Sequence, residues 1–134
     1  IACSLALPGV VVLPGHGAEV HCEIGPAAHF DQIRGELGGA VAAFDADRLG
    51  KQVCLRSPRP GDRRQPLGMS GHKKLSDLFT DCKWPRILRD EALVLACGEE
   101  IAWVAPLCSS HAFRVDTATV RMAVCRLRPA HREA

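Results

Sequence analysis

Residues 51–90 hold ten basic and four acidic side chains, against two and six in residues 1–50 and five of each in residues 91–134. The chemistry that such a block suits best is neutralisation of phosphate or another anion. Arg56, Arg59, Arg63 and Arg64 punctuate the stretch that ends in SPRPGDRRQPLGMSG, and His72, Lys73 and Lys74 follow it. Lys83, Arg86 and Arg89 continue the series. The spacing predicts that the two lysines stand at a helix start, where unpaired N–H groups and partial positive charge already attract anions. Gly71 would let the backbone approach such a ligand. The alternative is a solvated face on which Lys73 and Lys74 pair weakly with Asp77.

Other chemistries find little support in the residues. No GxxxxGK[ST], GxGxxG or HExxH run occurs, and Gly68-Met69-Ser70-Gly71 only looks like a nucleophile elbow. The six histidines show no i, i+4 pairing, and the closest two of seven cysteines, Cys97 and Cys108, are 11 residues apart, so no metal ligand set is expected. Asp45 and Asp47 stand two apart in a turn-like stretch, where aspartate serves turns and helix caps. No catalytic residue is assigned. Six aromatic residues without a tyrosine are few for a protein that stacks single-stranded bases, so the basic block suits a duplex held through its phosphates. Trp84, the aromatic inside the block, is read chiefly as a packing anchor.

These side chains need a framework, and the sequence sketches one. With 134 residues, 47% hydrophobic and 24% charged, the chain is about one domain with an ordinary globular composition and a net charge of only +2. Strands are expected at residues 10–13, 18–24, 40–44, 53–56 and 119–127, with a hairpin of 92–97 and 101–104 around Gly98-Glu99-Glu100. Residues 27–37 are ambiguous and suit a short helix before Gly38-Gly39. Leu75, Leu78, Phe79 and Cys82 mark one helical face, and Pro85 opens a second short helix to about Arg89. The fold class expected is α+β and β-rich, with a division near residue 50. Cysteines set in apolar alternating runs read as reduced core residues of a cytoplasmic protein. The opening IACSLALPGVVVLP starts without Met, has no basic leader and is cut at Pro8-Gly9. It therefore reads as part of a longer protein and not as a signal peptide or membrane helix.

The run LRSPRPGDRRQPLGMSGHKKLSDLFTDCKWPRILRD, residues 55–90, resembles the C-terminal domain of bacterial tRNA(Ile)-lysidine synthetases. The carrying motifs are the R-x-G-D-R-like loop, P-L-G-M, G-x-K-K-L-S-D-x-F and P-R-x-x-R-D. The likeness continues through LVLACGEEIAWVAPL and HAFRV, and more weakly through LPGVVVLPGHGAEVHCEI and FDADRLG. Pro106-Leu107-Cys108 departs from it, replacing a stretch that usually carries glycine and arginine. The resemblance implies a β-sandwich-like domain at 51–134 with a helical hairpin near 73–90, preceded at 1–50 by a remnant of the connecting region. It implies part of an ATP-dependent ligase that joins lysine to the wobble cytidine of isoleucine tRNA. ATP with magnesium, and lysine, would be handled by an N-terminal domain absent from these residues, leaving no cofactor here and no activity for this piece alone. The implied partner is isoleucine tRNA at its acceptor stem, with no membrane and a homodimer as an option. Arg59, Arg63, Arg64, Lys73, Lys74, Lys83, Arg86 and Arg89 are the expected tRNA-binding residues, and Gly61, Asp62, Gly68 and Gly71 the expected loop-ordering ones. The competing expectation is a module that docks on the catalytic domain or dimerises, with its charges serving solubility.

Overall fold

The computed structural model describes residues 2–13, 18–38, 40–50, 52–85 and 92–129. Two antiparallel sheets pack face to face. The first has the order β1 (Ala2–Ala6), β5 (Gln52–Arg56), β8 (Leu93–Cys97), β9 (Glu100–Ala105), β10 (Cys108–Ser109). The second runs β2 (Gly9–Leu13), β3 (Ala18–Pro26), β11 (Arg121–Pro129), β4 (Val41–Asp45). Residues from either side of position 50 share both sheets, since β1 pairs with β5 and both β3 and β4 pair with β11. Short helices α1 (Phe30–Ile33) and α2 (Ala46–Leu49) flank β4, and α3 (Leu75–Asp81) precedes β8. This is the β-rich α+β class expected, with β1 as a strand that the apolar N-terminal run did not announce.

The core follows from side-chain alternation. Leu93 and Leu95 on β8 face the space between the sheets, together with Val20, Phe44, Leu55 and Trp103. Val94 and Ala96 point the other way and are covered by Leu75 and Phe79 of α3, with Ile101 and Val104 of β9. The β8–β9 hairpin is thus buried on both faces, which is why LVLAC and IAWVA read as unbroken apolar runs. The Trp103 ring meets Phe44 edge-on at 6.3 Å across the two sheets. Gly98 turns the hairpin at φ +61.

Local signals placed the remaining elements closely. Asp45 caps α2, its Oδ1 accepting the Asp47 and Arg48 N–H groups at 3.0 and 3.2 Å, the role expected of a turn aspartate. The ambiguous stretch 27–37 is helical in three short pieces ending at Glu36. Cys22, Cys54, Cys82, Cys97, Cys108 and Cys125 are free thiols, and Cys22 faces Cys125 across β3 and β11. Cys82 caps the end of α3 and is exposed, so it does not belong to the apolar face assigned to it. No helix among the described residues is long and apolar enough to cross a membrane.

Candidate nucleic-acid interface

The long loop expected at 57–71 contains structure of its own. Arg63–Arg64 (β6) and Lys73–Lys74 (β7) form a two-stranded ribbon in which Arg63 faces Lys74 and Arg64 faces Lys73. Like charges placed directly opposite one another disfavour a ribbon, so other contacts must hold it. Asp62 supplies the main one. Its carboxylate takes both Arg56 Nη atoms, at 2.8 and 2.9 Å, and the Arg59 N–H at 2.7 Å. Its carbonyl accepts the Leu75 N–H at 2.9 Å, which ties the loop to the start of α3. Arg56 is only 8% exposed at the end of β5, so a bidentate ion pair anchors the loop to the first sheet. Burial acts to raise the Asp62 carboxyl, but the Arg56 guanidinium and the Arg59 N–H outweigh it and hold it below the ordinary aspartate range.

Two turns complete the loop. The Asp62 N–H donates to the Arg59 carbonyl at 3.1 Å, with Pro60 and Gly61 (φ +86) between them, a type II turn. Met69 N–H donates to the Pro66 carbonyl at 3.1 Å across Leu67 and Gly68 (φ +78), a second turn of the same kind. Gly61 and Gly68 therefore occupy positions that disfavour a side chain. Gly71 does not: its φ is not left-handed, and an added Cβ would meet nothing within 4 Å.

The lysines are not on the helix. Lys73 and Lys74 form β7, Lys74 precedes α3 without a side-chain cap, and the first helical N–H, that of Leu75, is already taken by Asp62. The phosphate grip expected from a lysine-bearing helix start and Gly71 is replaced by a cationic ribbon beside the helix. The difference arises because a strand of two residues has no periodicity to read. At the other end, Trp84 N–H reaches the Phe79 carbonyl at 2.8 Å and Lys83 N–H reaches Thr80 at 3.0 Å, a Schellman closure with Lys83 left-handed at φ +55. Trp84 is half-buried against the Leu75–Phe79 cluster, as a packing anchor should be, although its buried Nε1 has no partner. Arg86, Arg89 and the second helix expected there lie outside the described residues.

Charge pairing sets this region apart. Elsewhere Arg34 pairs with Asp31, Arg48 and Arg114 with Asp116, Arg121 with Asp47, and Arg126 with Glu23 and Glu36. Arg56 is committed to Asp62. Among the described residues, the side chains of Arg59, Arg63, Lys73, Lys74 and Lys83 are exposed and have no carboxylate partner. Arg64 is half-buried with its Nε unpartnered, and His72 pairs with Glu100 at 3.0 Å. Outside the ribbon and its neighbours, Arg128 near the end of β11 is the only other cation among the described residues that is similarly unpaired. An open concavity of about 590 Å³ lies between β6–β7 and α3, lined by Arg63, His72, Lys73, Lys74, Ser76 and Thr80, with Asp77 and Asp81 on its helical side. A concavity of about 470 Å³ beside α1 offers no comparable charge, because its Arg34 and Asp116 are already paired.

Sequence reasoning singled out the cations and Asp62 but did not identify Arg56 as the partner of Asp62, nor Leu67 and Met69 as exposed. Residues 53–125 match the model of the TilS substrate C-terminal domain. The chain is 37% identical to a tRNA(Ile)-lysidine synthase of Symbiobacterium thermophilum over 91% of its length, and 36% identical to one from Caldanaerobacter subterraneus subsp. tengcongensis over 90%. A third, from Bacteroides thetaiotaomicron, is 38% identical over 65% of the chain. The chain spans 25%, 25% and 20% of the length of these relatives. A crystal structure of a TilS C-terminal domain superposes with a TM-score of 0.79 at 24% identity, covering 98% of this chain and 100% of that one, and so shares its fold. With the family model matching more than half of its residues, this chain belongs to the TilS substrate C-terminal domain family.

Proposed function

We propose that this domain binds the acceptor-stem duplex of isoleucine tRNA through the β6–β7 ribbon and the two ends of α3, as the C-terminal part of a tRNA(Ile)-lysidine synthase. The observation that carries this reading is the group of exposed, unpaired cations, Arg59, Arg63, Lys73, Lys74 and Lys83, in a protein whose other described arginines are mostly neutralised. Unpaired cations held on an ordered ribbon suit a fixed array of phosphates, and phosphate contacts dominate the affinity of such interfaces. The name of the relatives supplies the substrate, tRNA(Ile), and the reaction, lysidine synthesis. ATP, magnesium and lysine then belong to the remainder of the enzyme, and the free thiols suit work in the cytoplasm.

Gel-shift titration across a salt series tests this. Lys73→Ala with Lys74→Ala should weaken tRNA binding at every salt concentration and flatten log K against log salt by about one unit per lost phosphate contact. An unchanged affinity and slope would remove the ribbon from the interface. A docking or dimerising surface is supported by a separate observation: Val10 and Val12 on edge strand β2 are 57% and 51% exposed. Size-exclusion chromatography of the 134-residue protein with and without tRNA distinguishes the two uses of the chain.

A further inference from the structure

The ribbon that carries the cations ends in an apolar tip. Leu67 and Met69, in the turn between β6 and β7, are 59% and 41% exposed and rank with Val10, Val12 and Val120 as the large apolar side chains left in solvent among the described residues. The tip is held in place. The Gln65 side-chain amide donates to the Met69 carbonyl at 2.6 Å, Gly68 N–H donates to His111 Nδ1 at 3.0 Å, and His111 N–H donates to the Gln65 carbonyl at 2.9 Å. Leu67 also forms one wall of a concavity of about 410 Å³ whose other walls include Phe30, Leu107 and Val115. Two apolar side chains fixed in solvent beside an apolar recess, on the same ribbon as Arg63 and Lys74, are suited to a ligand that is anionic along one part and apolar at another.

RNA offers its largest apolar surface on the faces of its bases. Stacking hides those faces inside a duplex and exposes them at an open end or in unpaired nucleotides. The cations and the apolar tip share one short ribbon, so RNA held by its phosphates on the strands has the tip within reach. We propose that Leu67 and Met69 pack on an unpaired base where the bound stem ends, so that the tip recognises the end of the duplex while the strands behind it hold phosphates. This rests on the reading of the basic face as an RNA interface.

Two RNA probes of one stem sequence separate the claims: one ends in a single-stranded 3′ tail, the other is a blunt-ended duplex with no unpaired nucleotide. The 134-residue protein should bind the tailed probe about tenfold more tightly, the scale expected for covering two apolar side chains. Leu67→Ser with Met69→Ser should abolish that preference and leave the salt slope unchanged, because no phosphate contact is lost. Leu67→Phe, which keeps an apolar contact, should retain it, and thermal melting of both proteins checks that the fold is intact. Equal, salt-sensitive binding of both probes by the unaltered protein would overturn the tip assignment and leave the RNA interface standing. Binding of neither probe would overturn both readings. A serine variant that keeps its preference but changes its elution volume would make the tip a protein contact and refute the proposal.

Discussion

Asp62 shows how one carboxylate can order a surface that it does not itself extend. Its carboxylate closes the Arg59–Asp62 turn and neutralises Arg56 while its backbone carbonyl accepts the first N–H of α3, so three segments meet at a single residue. Removing one partner of a largely buried pair leaves the other charge uncompensated, and Asp62→Ala should destabilise the protein by about 3 kcal/mol, measured by chemical denaturation. The same variant should weaken tRNA binding although no phosphate contact is removed, because Arg59, Arg63 and Lys74 lose their fixed spacing. The pH dependence follows from the lowered Asp62 carboxyl. A group whose folded pKa lies below its unfolded value contributes stability that is full above the unfolded value and is lost as pH falls through the folded one. The contribution of Asp62 is therefore complete at neutral pH and declines below its ordinary value of 3.8, and Asp62→Asn should remove that part of the acid limb. The family resemblance in the sequence implied Asp62 as an orderer of the loop. That Arg56 is its bidentate partner was not legible, since the choice depends on where β5 ends in space.

At the scale of elements, α3 and the ribbon divide the work. The helix is short, seven residues, and derives its stability from Leu75 and Phe79 buried on the outer face of β8–β9. Its spacing was readable because helical contacts are local. Its closure is unusual in placing a lysine in the left-handed position that glycine generally fills. Lys83→Gly should relieve that conformation and stabilise the protein by about 0.5–1 kcal/mol, visible as a raised melting temperature. If Lys83 contributes to the proposed RNA face, the same substitution should weaken tRNA binding and lower the salt slope by about one unit. A variant that is more stable and binds equally well would exclude Lys83 from that face. The ribbon was not readable in this way. Two-residue strands have no alternation to detect, and the pairing of Arg63 with Lys74 joins residues that repel one another.

For the molecule as a whole, stability is concentrated where the two sheets meet. Trp103 is 1% exposed there and packs edge-on against Phe44, so Trp103→Ala should cost about 3–5 kcal/mol, a large part of the stability of a domain this size. Trp103→Phe should cost much less, because the buried indole N–H has no partner to lose. Thermal melting of the two variants compares them directly, and a larger loss for phenylalanine would contradict this account of the core. The sequence alone determined the β-rich class, most strand positions, a helix through Leu75, Leu78 and Phe79, the turn-or-cap character of Asp45 and the concentration of positive charge in residues 51–90. All of these depend on residue type and short-range spacing, which survive in one dimension. Only the tertiary structure decided that β1 pairs with β5 across some fifty residues. It also decided that Lys73 and Lys74 stand on a strand, that Arg56 is committed to Asp62, and that Leu67 and Met69 are left in solvent. Those outcomes depend on which distant segments meet, and antiparallel sheets are assembled from such meetings.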